Sequence, residues 1–342
     1  MSINPVLKEL DDLDRRIIVA LQSDGRASWT SVADVCDTSV PTVARRAQQL
    51  LAEGIVRVGV TPDISHAGPV NLFILRIGCE PGRQTKVALE LVRRDDVRFL
   101  TLVTGETDII AELNVRTDDS LHTRLIDEVL AIDGVSRCET DLLLHTYKAT
   151  NDWSRQLLTG KEHVYTPVEP HECDSSHFND TDRAIVAVLR DDGRASFQGV
   201  ADVIGVNEST VRRRFETLRA RGCILVNTLV PAPALGFESE IIFMITVTPA
   251  NLDSAARELA TYRGVRYVAA TLNGSSLMCE VILPTTRDVF DFVTRTLGPL
   301  PGVQGWTANM EMLNLKRGFI ETPWWRGRLN ASGPSGGHHG DA

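Results

Sequence analysis

The chain has 342 residues, a formal net charge of −9 at neutral pH, and 43% hydrophobic residues. This length exceeds one ordinary domain, and the apolar content can fill several small cores. No run of about 18 apolar residues occurs, so we expect no membrane span. The polar, acidic start does not resemble a signal peptide, and a cytoplasmic protein is therefore expected.

The cysteines and histidines do not have the spacing of a metal site. The chain has 6 cysteines and 8 histidines, with no CxxC, HxxxH or HExxH motif. This scatter argues against a zinc site and against a disulfide framework. We therefore expect neither a metal nor a cofactor.

The sequence contains itself twice. Residues 14–56 align on residues 182–224 at an offset of 168, and 20 of these 43 positions are identical. Fainter similarity relates 70–82 to 239–251 and 97–105 to 265–274, and 133–148 matches 301–316 again at an offset of 168. Each copy is thus a head of about fifty residues followed by a body of about eighty, which makes internal duplication the main architectural feature.

The pattern at the start of each head predicts two helices separated by a turn. Apolar residues Leu13, Ile17 and Leu21 recur at helical spacing, and Gly25 follows the expected end of this first helix. Ser28 stands where the N-cap of a short second helix belongs.

A third helix and a short strand complete each head. Ser39 in the first copy and Asn207 in the second are placed to cap the third helix. Gly54 and Gly222 end it, and the residues that follow predict a strand.

The bodies alternate strand and helix patterns. The first body predicts strand 70–79, helix 83–94, strand 97–104, strand 109–116, helix 118–131 and strand 135–147. This βαββαβ order is ferredoxin-like, with an antiparallel sheet and two helices on one face. Such bodies often associate through their sheets.

The predicted fold class is α+β, with two winged helix-turn-helix domains, each followed by a ferredoxin-like βαββαβ domain. The expected boundaries are 8–62 for the first helix-turn-helix domain, 68–149 for the first body, 150–177 for a linker, 178–232 for the second helix-turn-helix domain, 237–320 for the second body and 321–342 for a disordered tail.

The helix-turn-helix pattern indicates DNA binding, because its second helix enters the major groove. The matching helix of the second head concentrates arginine in an acidic chain, which is typical of phosphate and guanine contacts. The predicted DNA-binding residues are Ser39, Thr42, Arg45, Arg46, Asn207, Ser209, Thr210, Arg212, Arg213, Arg214 and Arg219. A solvated charged face is the alternative interpretation. Since the first copy has fewer arginines, the second head should contribute more phosphate affinity.

Five stretches together resemble the Lrp/AsnC family of bacterial transcription regulators. They are LDDLDRRIIVALQSDGRAS, SVPTVARRAQQLLAEGIV and VTGETDIIAEL in the first copy, and NDTDRAIVAVLRDDGRAS and NESTVRRRFETLRARGCI in the second. The resemblance implies binding to double-stranded DNA, self-association of the bodies, and modulation by a small effector, frequently an amino acid. An ordinary member has one head and one body, so this chain resembles a tandem fusion of two.

The resemblance also implies an effector site near a G-x-x-D turn between the second and third strands of each body. In the first body this turn is Thr104, Gly105, Glu106, Thr107 and Asp108. In the second it retains Gly274, followed by Ser275 and Ser276, but lacks the aspartate, so an ammonium-bearing ligand would lose a carboxylate partner there. A tight hairpin turn accounts equally well for the glycine and the aspartate.

Two other functions stay open. Some relatives with this head-and-body plan are sirohaem decarboxylases, whose chemistry would need histidines or arginines converging in the body. The first body offers His122 and His145, whereas the second has no histidine between 239 and 316. A basic recognition helix has no evident use in such an enzyme. The remaining alternative is an effector sensor that does not bind DNA.

Overall fold

The computed structural model describes residues 10–63, 70–117, 119–159, 178–274 and 276–325. The first head folds into α1 (Asp12–Ser23), α2 (Trp29–Val35) and α3 (Val40–Ala52), followed by β1 (Arg57–Pro62). The Asp11 side chain accepts a hydrogen bond from the Asp14 amide at 2.9 Å, and Ser28 accepts one from Ser31 at 3.1 Å. These caps satisfy amides that a helix start leaves without partners.

The first body has the predicted order of elements. It contains β2 (Val70–Cys79), α4 (Gln84–Val92), β3 (Val97–Val103), β4 (Ile109–Arg116), a π-helical segment (Thr123–Val129) and β5 (Val135–Ala149). The second expected helix of the body is therefore partly π-helical, with the amide of Leu130 bonded to the carbonyl of Leu125.

The expected linker is only partly correct, because α5 (Trp153–Thr159) lies within it. Trp153 is 2% exposed and contacts Phe237 edge-on, with ring centroids 5.6 Å apart. Burial of this large ring gives the segment a fixed place on the first head. Residues 160–177 lie outside the described part of the chain.

The second copy repeats the first. Its head contains α6 (Asp180–Asp191), α7 (Phe197–Ile204), α8 (Glu208–Ala220) and β6 (Ile224–Leu229). A 3-10 turn (Ala232–Leu235) leads to the body, which contains β7 (Ser239–Val247), a 3-10 turn (Pro249–Asn251), α9 (Leu252–Thr261), β8 (Val265–Leu272), β9 (Leu277–Leu283), α10 (Thr286–Phe292), a π-helical segment (Val293–Leu297), β10 (Val303–Arg317) and β11 (Ile320–Glu321).

The first residues of the expected disordered tail are folded. Glu321 belongs to β11, and Trp325 is 8% exposed in the core of the first body. The reason is the same as for the linker, since a tryptophan ring can bury a large apolar area. Residues 326–342 lie outside the described part of the chain.

The strand after each head pairs with its counterpart in the other head. β1 and β6 form an antiparallel pair in which Gly59 lies opposite Asn227, two residues separated by the offset of 168. The pairing therefore has a local pseudo-twofold axis at this point. The predicted wing would be a β-hairpin within each head. β1 and β6 instead pair with each other between the heads.

The two bodies close one barrel-like sheet. Its strand order is β11-β10-β3-β4-β2-β5-β8-β9-β7, and an additional pairing of β10 with β7 closes it. The long strands β5 and β10 each pair first with their own body and then with the other, which produces two junctions. We call the β5–β8 junction the first seam and the β10–β3 junction the second seam.

Separate cores stabilise the heads and bodies. Helix α4 packs on the strands of the first body, and α9 packs on the equivalent face of the strands of the second body. A further apolar cluster, which includes Ile74, Ile242 and Tyr267, draws on strands of both bodies. No helix in the described part of the chain is both long and apolar enough to span a bilayer.

Candidate nucleic-acid interface and effector turns

The third helix of each head exposes polar groups at its N-terminus. Ser39 and Asn207 occupy the N-cap positions of α3 and α8, but neither side chain bonds to the helix backbone, in contrast to the expected caps. The hydroxyls of Ser39 and Thr42 are instead 2.8 Å apart and share a hydrogen bond. Ser209 is exposed and Thr210 half-buried. The third helix of the head is the second helix of the helix-turn-helix motif, and its N-terminal residues are the ones that meet base edges.

The third helix of each head has an exposed arginine at the same position. Arg45 on α3 and Arg213 on α8 are separated by the offset of 168, and both are exposed. Within the described residues, neither forms a side-chain ion pair. Arg212, one position earlier, is exposed but pairs with Glu208 at 2.5 Å and lies 4.9 Å from the ring of Phe197.

The next arginine in each head is engaged inside the head. Arg46 donates to Asp11 at 2.6 Å and to Asp14 at 2.9 Å. Arg214 makes the equivalent two-pronged contact with Asp182, whose carboxylate is fully buried. Bonding to this carboxylate raises the pKa of Arg214. These contacts tie the third helix of each head to its first helix.

Arg219 connects the two heads. Its guanidinium lies 3.0 Å from the carboxylate of Asp24 in the first head, with both side chains partly exposed. An exposed pair of this kind contributes little to stability. Besides Arg45 and Arg213, four arginines of α3 and α8 were predicted to contact DNA, and each of them has a protein partner: Arg46, Arg212, Arg214 and Arg219.

The first effector turn lies at the second seam. The amide of Thr104 donates to the carbonyl of Met310 at 2.9 Å, and the Thr104 hydroxyl accepts from the Met310 amide at 3.1 Å. Gly105 has a φ of 113°, and a Cβ at this residue would lie 2.8 Å from the side-chain oxygen of Asn309. Glycine is needed here for both its backbone conformation and its close contact.

Asp108 and Thr107 hold this turn against β2. The Asp108 carboxylate accepts from the Cys79 amide at 2.7 Å and from Gln84 at 3.2 Å. The buried hydroxyl of Thr107 donates to the carbonyl of Ile77 at 2.8 Å. Both residues therefore have a structural role in the turn. Glu106, by contrast, is exposed.

The second effector turn lies at the first seam. Asn273 donates to Asp141, a fully buried carboxylate of the first body that also pairs with Arg76 at 3.0 Å. The Gly274 carbonyl accepts from Thr246 at 3.1 Å, and the Ser276 hydroxyl donates to Val247 at 3.0 Å. Ser275 lies outside the described residues.

A buried ionic network between the two bodies was not among the features predicted from the sequence. Arg98 pairs with Glu112, and at the same offset Arg266 pairs with Glu280 at 3.1 Å. The repetition of both the arginine and the glutamate at offset 168 was the available signal. Residues whose equivalents in the first copy are uncharged (Leu143 and Ala149) extend the network. Arg317 contacts both Glu280 at 2.9 Å and Glu311 at 3.2 Å.

The carboxylates of this network differ in protonation. Burial opposes ionisation of Glu280, but the charges of Arg266 and Arg317 lower its pKa to about 2. Burial and the neighbouring Glu280 charge raise the pKa of Glu311 well above its usual range. Within this pair, the surroundings therefore favour the ionised form of Glu280 and the protonated form of Glu311.

Family models match both copies of the chain. An AsnC-type helix-turn-helix domain matches residues 10–51 and 178–219, and an Lrp/AsnC ligand binding domain matches residues 72–153 and 240–319. The helix-turn-helix and body domains predicted from sequence are confirmed by these matches, as is their tandem repetition.

Relatives with one copy align to part of the chain. An uncharacterised HTH-type transcriptional regulator of Pyrococcus furiosus is 31% identical over 140 residues, which is 41% of this chain and 95% of that protein. The HTH-type transcriptional regulator LrpA1 of Halobacterium salinarum is 30% identical over 140 residues, which is 40% of this chain and 98% of that protein.

Solved structures of the siroheme decarboxylase NirDL match nearly the whole chain. The crystal structure of the siroheme decarboxylase NirDL superposes with a TM-score of 0.58, covering 94% of this chain and 99% of that one at 12% identity. At this identity the match shows a shared fold over nearly the whole chain, and nothing about activity.

Proposed function

Because the chain belongs to the Lrp/AsnC family of effector-modulated, DNA-binding transcription regulators, we propose that it acts as a covalent pseudo-dimer whose two heads read DNA together. The pairing of β1 with β6 about Gly59 and Asn227 carries this proposal. It joins equivalent surfaces of the two copies, as an isologous dimer contact does. A single chain thereby supplies what two ordinary family members would supply.

The two heads should read unlike half-sites. We assign the base-edge contacts to the exposed starts of α3 and α8, and the principal phosphate contacts to Arg45 and Arg213. Arg212 adds charge in the second head, where the first head has Ala44. Arg46 and Arg214 support the heads from inside, and Arg219 supports the contact between heads. The expected operator is therefore an imperfect palindrome.

The effector site is proposed at the first turn. Both effector turns lie at seams between the bodies, so a ligand bound there would alter the contact between the copies. Asp108 already accepts two hydrogen bonds from the protein. The exposed carboxylate of Glu106 is the better partner for an ammonium group, and the second turn has no equivalent acid. An amino acid fits this chemistry.

The finer fold assignment follows from strand order. We propose that each body is a ferredoxin-like domain, since β5-β2-β4-β3 and β10-β7-β9-β8 are the same order of equivalent strands. We also propose that the bodies mediate self-association and that the chain works in the cytoplasm, where its DNA is found. Exposed apolar side chains near the seams, including Leu144 and Met312, support the first of these.

We infer that the chain does not act as a sirohaem decarboxylase, although its fold resembles one. Arg98, Arg266 and Arg317 converge between the bodies but are all paired with glutamates. The cavity beside Arg266 and Arg317 measures about 20 Å³, whereas a site for a large ligand needs several hundred Å³, roughly 300 or more. Incubation with sirohaem, followed by mass spectrometry for loss of carbon dioxide, is expected to show no reaction.

Genome-wide binding-site mapping tests the regulatory function. The wild-type chain should occupy discrete promoter sites, and the R45A/R213A double variant should lose most of that occupancy. The R15A/R183A variant is the matched control, because it removes two equivalent exposed arginines from the first helices of the heads. Mapping with and without added amino acids then tests the effector. Promoter occupancy that survives in R45A/R213A would contradict the assigned DNA interface.

A further inference from the structure

The two copies of the stretch Asp-Gly-Arg-Ala-Ser, at 24–28 and 192–196, contact each other between the heads. Arg26 donates to the carbonyls of Gly193 and Ala195, the latter at 3.0 Å. Arg194 donates to the carbonyls of Gly25 at 2.5 Å and Ala27 at 2.9 Å. Each arginine donates to two carbonyls that flank the other arginine, and the two sets of bonds are related by the offset of 168. We call this reciprocal set of four hydrogen bonds the arginine clasp.

Aromatic rings extend the clasp on both sides. The guanidinium of Arg194 lies 3.9 Å from the ring of Trp29, and that of Arg26 lies 4.7 Å from the ring of Phe197. Trp29 and Phe197 are the first residues of α2 and α7 and occupy equivalent positions. A guanidinium stacked on a ring while bonded to two carbonyls has little freedom to rotate.

The clasp brings two partly buried cations close together. Burial lowers the pKa of Arg26 and of Arg194, and the charge of Arg26 lowers the pKa of Arg194 further. Arginine nevertheless stays protonated in proteins. Four carbonyl contacts and two rings hold these like charges together, and these contacts form only where the two loops face each other as they do here.

The loops that carry the clasp are seated directly on the strand pair. The Gly193 amide donates to the carbonyl of Val58 at 2.9 Å, and a Cβ on Gly193 would lie 2.7 Å from the backbone nitrogen of Gly59. A Cβ on Gly25 would lie 2.6 Å from the hydroxyl oxygen of Thr228. Clasp and strand pair therefore form one continuous contact between the heads.

The clasp also reaches the recognition helix of the second head. The guanidinium of Arg26 lies 5.2 Å from the ring of Phe215, which belongs to α8 and is 1% exposed. The position of Arg26 is thus coupled through the core of the second head to the helix that carries Arg213. A rotation of one head against the other must break clasp bonds before it moves α8 relative to α3.

We propose that Arg26 and Arg194 fix the relative orientation of the two recognition helices and thereby set the half-site spacing that the chain accepts. This inference rests on the proposed DNA-binding function. Half-sites one turn apart, about 10.5 base pairs, present the same face of the duplex, whereas a shift of half a turn presents opposite faces. A rigid pair of heads must reject such a shift, and a loosely joined pair must tolerate it.

The test uses the full-length R26K/R194K variant, which keeps both charges but loses the two-pronged bonding that only guanidinium provides. Spin labels attached through a keto amino acid at Ala52 and Ala220, the exposed and equivalent ends of α3 and α8, report the distance between the helices without DNA. The R15K/R183K variant is the matched control. We expect a narrow distance distribution in the wild type and the control, and one at least twice as broad in R26K/R194K.

The second measurement uses DNA fragments from mapped wild-type sites with about five base pairs inserted between the half-sites. We expect the insertion to weaken wild-type binding by about 10-fold or more and R26K/R194K binding by less than about 3-fold. If R26K/R194K does not fold, judged by circular dichroism, the R194K single variant replaces it and should broaden the distribution to a smaller extent.

The outcomes separate the clasp from DNA binding itself. An unchanged distance distribution in the lysine variant overturns the proposal whatever the DNA result. A broadened distribution with strict spacing overturns the link between the clasp and spacing. If the wild type binds no DNA at all, the proposed function fails and the spacing role fails with it, while the distance measurement still decides whether the clasp orients the heads.

Discussion

Neighbouring arginines on one helix have different roles because their surroundings differ. Arg213 is exposed and faces solvent, whereas Arg214 bonds to the fully buried Asp182. The same contrast holds for Arg45 and Arg46 in the first head. A run of arginines in a sequence therefore does not measure how much charge a helix offers to DNA.

This contrast predicts opposite phenotypes for adjacent alanine variants. Arg213→Ala should weaken DNA binding and reduce the slope of log affinity against log salt concentration by about 1, without changing the urea midpoint. Arg214→Ala should lower the free energy of unfolding by about 3 kcal/mol, because it leaves the Asp182 carboxylate buried without its cation. Equal effects of both variants on salt slope and stability would contradict this division.

Lys316 should make stability rise with pH. Its ammonium is buried and donates to the carbonyls of Arg94 at 2.6 Å and Val92 at 3.2 Å, at the C-terminal end of α4. Burial lowers the pKa of Lys316 from 10.5 to about 8. Between these values the unfolded chain holds a proton that the folded chain has released, so stability increases with pH by up to about 3 kcal/mol. Below pH 8 the burial penalty is constant.

Comparison with the Lys316→Met variant isolates this contribution, since other titrating groups are common to both proteins. Urea unfolding at intervals from pH 7.5 to 10.5 should show a steeper upward trend in the wild type than in the variant. Parallel trends would show that Lys316 keeps an ordinary pKa when folded.

At the scale of elements, local sequence patterns predicted the bounds of individual strands and the ends of helices. The strands Val70–Cys79 and Ile109–Arg116 have the predicted bounds, and Gly54 and Gly222 end their helices with φ of 68° and 69°. Periodicity and glycine placement determine such features within a few residues of sequence.

Pairing between distant strands was beyond local patterns. β5 pairs with β2 up to Leu142 and then with β8 of the other body, and nothing in its alternation marks that change. The positions of Trp153 and Trp325 likewise depend on surfaces that only the folded chain creates. The position of the DNA-binding helix could be predicted, but the contacts of its side chains could not. Asp14 and Asp182 form ion pairs with Arg46 and Arg214, which the sequence pattern assigned to DNA. Their recurrence with Arg46 and Arg214 at one offset was the signal to use.

The contact between head and strand pair predicts intolerance of a single methyl group. In Gly193→Ala the new Cβ would meet the backbone of Gly59, which cannot move without breaking the β1–β6 pair. We expect a loss of about 2 kcal/mol in the free energy of unfolding. Gly305→Ala is the control, because a Cβ there has no described atom within 4 Å. Equal urea midpoints for the two variants would show that the loop around residue 193 can shift to accommodate the methyl group.

At the scale of the whole molecule, the bodies close on each other but leave apolar side chains outside. Leu144 is 51% exposed beside the first seam, and Met312, its equivalent at offset 168, is 48% exposed beside the second. Met310 and Trp306 on β10 are also exposed, at 41% and 44%. Clusters of exposed apolar side chains mark association surfaces more often than single ones do.

We therefore expect the chain to associate through its seams and to lose that association when they become polar. The Leu144→Gln/Met312→Gln variant should elute nearer to the 37.6 kDa mass of one chain, measured by light scattering after size exclusion. Val35→Gln/Val203→Gln is the matched control, since these equivalent head residues are 71% and 70% exposed and should not affect assembly. A wild-type mass of one chain at every concentration would contradict the prediction, as would a seam variant that keeps the wild-type mass. Because both effector turns lie at the same seams, a change in mass on adding an amino acid would join effector binding to assembly.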